Sequence, residues 1–172
     1  MDSIIQQIAA LALQAVAIAW RAQGHELTGK AVQELETRIT QTAQGYTIDG
    51  YVLDYMAHIN TGVPADRIPY SPGSGARSSK YIDGLIRYAK LRMGAGSERE
   101  AKSIAFAIAS KHKREGMPTR SSARFSQTGK RTGFIQEALE GREAEFEALI
   151  AAAVNESYQT LFFTPLTQLL NR

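Results

Sequence analysis

Hydrophobic positions repeat at helical spacing over several stretches of this chain and alternate over one. Ile4, Ile8, Leu11, Ala15 and Ile18 recur every three to four residues, which predicts a helix opening at a Ser3/Gln6 capping box and stopping near Gly24. No charged side chain occurs from Ser3 to Trp20. A helix apolar around most of its girth is expected to be covered on several sides, by its own domain or by a neighbouring subunit. These 18 uncharged residues approach the length that crosses a bilayer. Gln6, Gln7 and Gln14, the preference for alanine over leucine, and Asp2 in place of a basic n-region favour a buried helix over a membrane span.

After a turn-like entry at His25 to Lys30, Val32, Leu35 and Ile39 fit a helix, while Leu35, Thr37, Ile39 and Gln41 alternate with Glu36, Arg38 and Thr40. The threonine and isoleucine content favours a strand from near Leu35, and Gly45 offers a turn into Tyr46, Thr47, Ile48 and Tyr51, giving an antiparallel pair. Val52, Tyr55, Met56 and Ile59 then read as a short helix ended by Gly62. Residues 60–79 hold Gly62, Pro64, Pro69, Pro72, Gly73 and Gly75 without periodicity, a loop long enough to be a contact arm. Two central helices are predicted next. The first runs from Lys80 to Met93 with Ile82, Leu85, Ile86, Ala89 and Met93 on one face. The second has Ser97 as cap, Glu98 and Glu100 at its positive end, Ile104, Ala105 and Ile108 inward, and Lys111, Lys113 and Arg114 before Gly116. A second polar loop, 115–132, leads into a long last helix from Gly133. Phe134, Ala138, Phe146, Leu149, Ile150 and Val154 form its apolar stripe, and a tail over 158–172 holds a short helix from Thr164 with Pro165 in its first turn.

The fold class expected is α+β: an N-terminal helix over 1–24, a small antiparallel sheet, two central helices, a long C-terminal helix and two long loops. At 172 residues, with 44% apolar and 22% charged side chains, this is a globular chain expected to fold as a single domain over 1–172. With 0 cysteines, disulfide frameworks, thiolate metal sites and cysteine nucleophiles are excluded. Charge is unevenly placed. Residues 1–66 hold 3 basic and 7 acidic side chains, residues 67–131 hold 15 and 4, and residues 132–172 hold 2 and 6. A basic centre between acidic flanks can neutralise itself, pair with adjacent copies, or face a polyanion.

Candidate chemistry is sparse. His25, His58 and His112 lie on three different elements without partners at ligand spacing, and His112 reads as a solvated residue in a basic run. Pro72 to Lys80 has the glycines of a phosphate loop but not its lysine position or its preceding strand. No nucleophile elbow surrounds the serines. Glu140, Glu143 and Glu147 share a helical ridge, where carboxylates are ordinarily solvated and do not perform acid–base work. No catalytic residue, metal or cofactor is therefore expected. Lys111 to Arg131 holds 7 basic residues and 1 acidic one among serines and threonines, a strip suited to phosphates without base reading. The residues singled out for partner or DNA-channel contact are Arg77, Lys80, Lys111, Lys113, Arg114, Arg120, Arg124, Lys130 and Arg131.

The order of these features resembles a known family. Leu27-Thr28-Gly29-Lys30 precedes a pair of strands; Tyr51 to Gly62 is an aromatic, apolar helix ending in Thr61-Gly62; a proline-rich loop follows. Then come Ile82 to Lys90, Gly94, Ala105-Phe106-Ala107-Ile108-Ala109, Lys111 to Gly116 and Phe134-Ile135-Gln136-Glu137-Ala138-Leu139. Over about residues 27–150, this succession resembles the tail-completion and head-tail joining proteins of long-tailed bacteriophages. One departure is plain: the family often has a tryptophan in the helix after the proline-rich loop, where this chain has Tyr88, its only tryptophan being Trp20.

The resemblance implies a structural virion protein made in the host cytoplasm, with no enzymatic activity. It implies a homo-oligomeric ring of about six or twelve copies in the phage neck, joining the DNA-filled head to the tail. Its partners would be the portal or adaptor and the tail terminator or tail tube proteins, with nonspecific contact to packaged DNA and no membrane. A tail terminator of the same neck, a nonspecific DNA-binding protein and an assembly chaperone are the alternatives. In the ring reading, the loops 60–79 and 115–132 bind neighbouring ring proteins and some basic residues approach the DNA channel.

Overall fold

The computed structural model describes residues 2–73 and 79–159. Element order is α1 (Asp2–Ala22), α2 (Lys30–Gln33), β1 (Glu36–Thr42), β2 (Gly45–Tyr51), α3 (Asp54–Thr61), α4 (Lys80–Arg92), α5 (Glu98–Glu115), α6 (Phe134–Glu140) and α7 (Glu143–Tyr158). Short 3-10 turns occupy Ala65–Arg67 and Arg120–Phe125. The α+β class is as the sequence indicated. The backbone clusters into two compact units, each assembled from segments distant in sequence. One gathers Met1–Ala19, Leu35–Val52 and Ile135–Arg172, the other Trp20–Glu34 and Leu53–Phe134.

The first unit is acidic, with 3 basic and 9 acidic side chains in its sequence. Its core is small: Ile4 and Ile8 of α1 meet Ala153 of α7, with Ile5, Ile48, Phe146 and Leu149 packed around them. By length and composition α1 could cross a membrane, and about 33% of that window is buried. Its exposed positions include Ser3, Gln6, Gln7, Ala10 and Gln14. These place the amides toward solvent, which makes the helix amphipathic. Ser3, read as its cap, lies inside the first turn. The strands form a hairpin pairing Glu36 with Tyr51 and Thr42 with Gly45, so the connection is Ala43–Gln44 and Gly45 opens β2. Most of the hairpin is exposed, and only Ile48 joins the core cluster.

One expected helix is two. Gly141, weak as a helix former, separates α6 from α7. Of the residues read as the apolar stripe of the last helix, Ile150 and Val154 are 51% and 63% exposed. The reason is angular: at 100° per residue Ile150 and Val154 are each turned about 100° from the residue before them, Leu149 and Ala153, which take the core face, so they fall on the neighbouring, open flank of α7.

The second unit is basic, with 17 basic and 8 acidic side chains in its sequence. α4 and α5 pack against each other. Ile82 and Ala89 of α4 and Ala101, Ala105 and Ala109 of α5 are buried, and alanines four apart let two helix backbones come close. α5 follows its local signals. The Ser97 hydroxyl accepts from the Glu100 amide at 3.1 Å, and Gly116 ends the helix at φ 82°. Met93, read on one face with Ile82, Leu85, Ile86 and Ala89, is the cap residue of α4 and 53% exposed. The first loop is tied down over its described part: Val63 and Met117 exchange backbone hydrogen bonds of 2.6 and 2.8 Å, and Ile68 is 2% exposed. Gly116 lies under this bridge, where a Cβ would come within 2.9 Å of the Val63 carbonyl oxygen. The rest of that loop (74–78) and the tail after 159, including the helix expected from Thr164, lie outside the described residues.

Candidate interaction surfaces

The basic loop 115–132 belongs to the second unit and is fixed to the C-terminal end of α1. That end closes with Gly24 at φ 73°, whose amide donates to the Arg21 carbonyl at 2.8 Å while the His25 amide donates to that of Trp20 at 3.2 Å. The remaining carbonyls take donors from the loop: the Gln127 amide donates to Ala22 at 2.8 Å, and an Arg131 guanidinium nitrogen lies 3.5 Å from the Gly24 oxygen. A Cβ at Gly24 would stand 2.2 Å from the Phe125 carbonyl oxygen, so the approach of loop and helix end requires glycine.

Under this junction is an aromatic core. Trp20 is 2% exposed and packs edge-on against Phe134, with ring centroids 5.1 Å apart at 76°, while His25 lies 4.8 Å from Trp20. Gln23 is fully buried, and its Nε2 donates to the Thr132 carbonyl at 3.1 Å. Its Oε1 lies 3.2 Å from His25 Nε2, a hydrogen bond that ties the imidazole to the end of α1. Burial, reinforced by the Arg131 guanidinium, pulls His25 from 6.5 down to about 4, so the ring is neutral. Trp20 Nε1 and Arg131 Nε are buried without a hydrogen-bond partner among the described residues.

The nine cations singled out in the sequence separate into groups. Arg77 lies outside the described residues. Lys111 donates to the Ser121 hydroxyl, Lys113 reaches the Asp66 and Ile68 carbonyls at 3.3 Å each, and Arg131 is held at Gly24. These three pin loops to α5 and α1. Lys80, Arg114, Arg120, Arg124 and Lys130 are exposed. Arg124 lies 4.8 Å over the exposed Phe125 ring, a cation–aromatic pair at the surface.

His112, expected in solvent, is half-buried and its Nδ1 lies 2.7 Å from the Tyr81 hydroxyl. Burial lowers His112 and lifts Tyr81 to about 12, so the hydrogen bond joins two uncharged groups. Elsewhere on this unit Lys90 pairs with Glu98, whose carboxyl is lowered by that hydrogen bond.

On the first unit, α1 and α7 border an open groove of about 490 Å³ lined by Gln7, Ala10, Leu11, Gln14, Glu145, Ala148 and Leu149. None of these residues is buried. Among the described residues no three His, Cys, Asp or Glu side chains converge as metal ligands. Glu140, Glu143 and Glu147 are exposed. Sequence reasoning missed two features. One is the Trp20–Gln23–His25 junction, whose only local signal is a tryptophan and a glycine ending an alanine-rich helix. The other is the open stripe on α7. No family model, curated protein or solved structure matches this chain.

Proposed function

We propose that this chain is a structural subunit of a ring in the neck of a long-tailed phage, joining the DNA-filled head to the tail. The observation that carries the reading is the segregation of charge. One compact unit holds a net −6 and the other a net +9. Each also exposes large apolar side chains, Ile150 and Val154 on the first, Leu91 and Phe125 on the second. A subunit that repeats around an axis joins unlike patches of itself, and opposite charge on the two patches steers that pairing and opposes self-pairing of either. The neck assignment comes from the resemblance in element order described above. The portal or adaptor and the tail terminator or tube are then the neighbours, and the loops at 60–79 and 115–132 are surfaces for them.

Mass spectrometry of purified particles tests this directly. The chain is expected in several copies per particle, and its absence from finished particles overturns the reading. A second reading, nonspecific DNA binding, is favoured by the five exposed cations Lys80, Arg114, Arg120, Arg124 and Lys130. It predicts duplex affinity of the isolated chain that falls steeply with salt.

A further inference from the structure

We propose that α7 of one copy and α4 of the next form the contact between subunits, packed side by side and parallel. This deepens the ring reading and rests on it. On α7, Glu143, Glu147, Ile150, Val154 and Tyr158 fall on one side at spacings of three and four. Ile150, Val154 and Tyr158 are 51%, 63% and 52% exposed, an apolar stripe turned about 100° from the Leu149 and Ala153 face that holds the core. The charged end of the stripe borders a groove of about 400 Å³ in which Leu139 and Phe146 form the apolar part and Glu140, Glu143 and Glu147 the acidic part.

α4 presents the complement. Lys80, Gly84, Arg87, Tyr88 and Leu91 lie on the side opposite the buried Ile82 and Ala89, with Tyr88 37% and Leu91 54% exposed. Gly84 adds no side chain to this face, and a methyl group built there would meet nothing within 4 Å. Both helices carry charge toward the N-terminal end of the face and apolar side chains toward the C-terminal end. Lys80 to Leu91 and Glu143 to Val154 each span roughly 16 Å at the helical rise. Set parallel with Leu91 beside Val154, Lys80 lies level with Glu143, Arg87 lies about 4.5 Å along the axis from Glu147, within the reach of its long side chain, and Tyr88 and Leu91 run beside Ile150 and Val154.

Set antiparallel, the same faces put cations on the apolar stripe. Like-with-like parallel pairing opposes Glu143 and Glu147 to themselves, or Lys80 and Arg87 to themselves, which charge repulsion disfavours. The occupant of each face is therefore the other face on a second copy. Such a contact is heterologous and propagates around a closed ring.

The chain has 0 cysteines, so introduced thiols report without background. The full chain carrying Leu91→Cys and Val154→Cys together is oxidised mildly and run on a non-reducing gel, with circular dichroism confirming the fold. A ladder of multimers is expected, while each single variant stays a monomer. Absence of a ladder, closure within one chain, or dimers from a single variant overturns the contact. Glu143→Lys with Glu147→Lys should abolish the ladder, and adding Lys80→Glu with Arg87→Glu should restore it; failure to restore contradicts the charge pairing. The two claims fail separately. A ladder from a chain missing from purified particles overturns the ring reading alone, and a chain present in particles without a ladder overturns the contact alone.

Discussion

The two units of this molecule solve the problem of stability differently. The basic unit encloses Trp20, Met56, Gln23 and Phe134 and ties its loops with hydrogen bonds between segments more than a hundred residues apart, such as Gln23 to Thr132. The acidic unit has a core of Ile4, Ile8 and Ala153 with a few partly covered neighbours, and a two-stranded hairpin that is mostly exposed. An isolated hairpin is marginal in water, and small apolar contacts stabilise little. The difference lies in the cores and not in the surfaces: the basic unit closes a core around Trp20 with its own residues, the acidic unit has only a small one, and both leave apolar side chains exposed, Ile150 and Val154 on α7 and Tyr88 and Leu91 on α4, that a neighbour would cover.

Four measurements sharpen or break this comparison. Phe134→Ala removes the ring against Trp20 and should destabilise the chain by about 3–5 kcal/mol in a denaturant melt, whereas Ile8→Ala in the looser core should cost nearer 2 kcal/mol. Equal losses would erase the contrast. Gly24→Ala comes next. It combines a positive φ with a Cβ against the Phe125 carbonyl, and a thermal melt should show about 1–3 kcal/mol lost. A near-neutral result means the loop does not press on the helix end.

His25 gives the third. Its folded-state value, about 4, lies below the unfolded 6.5, so the unfolded chain binds the extra proton. Stability from this group is complete above about 6.5 and is lost as pH falls from there toward 4. Discounted for the ring's residual solvent contact, the loss is about 1 kcal/mol. His25→Gln should flatten melting temperature across that window; an unchanged slope contradicts the buried neutral ring. The smallest effect belongs to Val154→Ser on the open stripe of α7, which should move monomer stability by no more than about 0.5 kcal/mol. A larger loss would mean that the stripe is part of the fold.

What was legible in the sequence was local. α5 could be read almost to the residue, because Ser97, Glu98, Glu100, Lys113, Arg114 and Gly116 act on their own helix ends. The hairpin, α3 and α4 carried their own periodicities too. The anchoring of the basic loop was hidden because it depends on backbone groups, the Ala22 and Gly24 carbonyls, which every sequence possesses. Lys111, Lys113 and Arg131 looked like contact residues for the same reason: charge is visible in a sequence, whereas the carbonyl or hydroxyl that engages it is not. On α7 the composition showed enough apolar residues for a stripe but not which side of the helix the core would occupy. The closer match to the core is Leu149 and Ala153, and the choice is made by α1 and Ile48.

Sedimentation velocity of the purified full chain across a salt series addresses the central claim most directly, namely that oppositely charged surfaces assemble copies of one subunit. The account predicts an assembly of several copies at low ionic strength whose mass falls as screening increases. A single monomeric boundary at every salt concentration would contradict it.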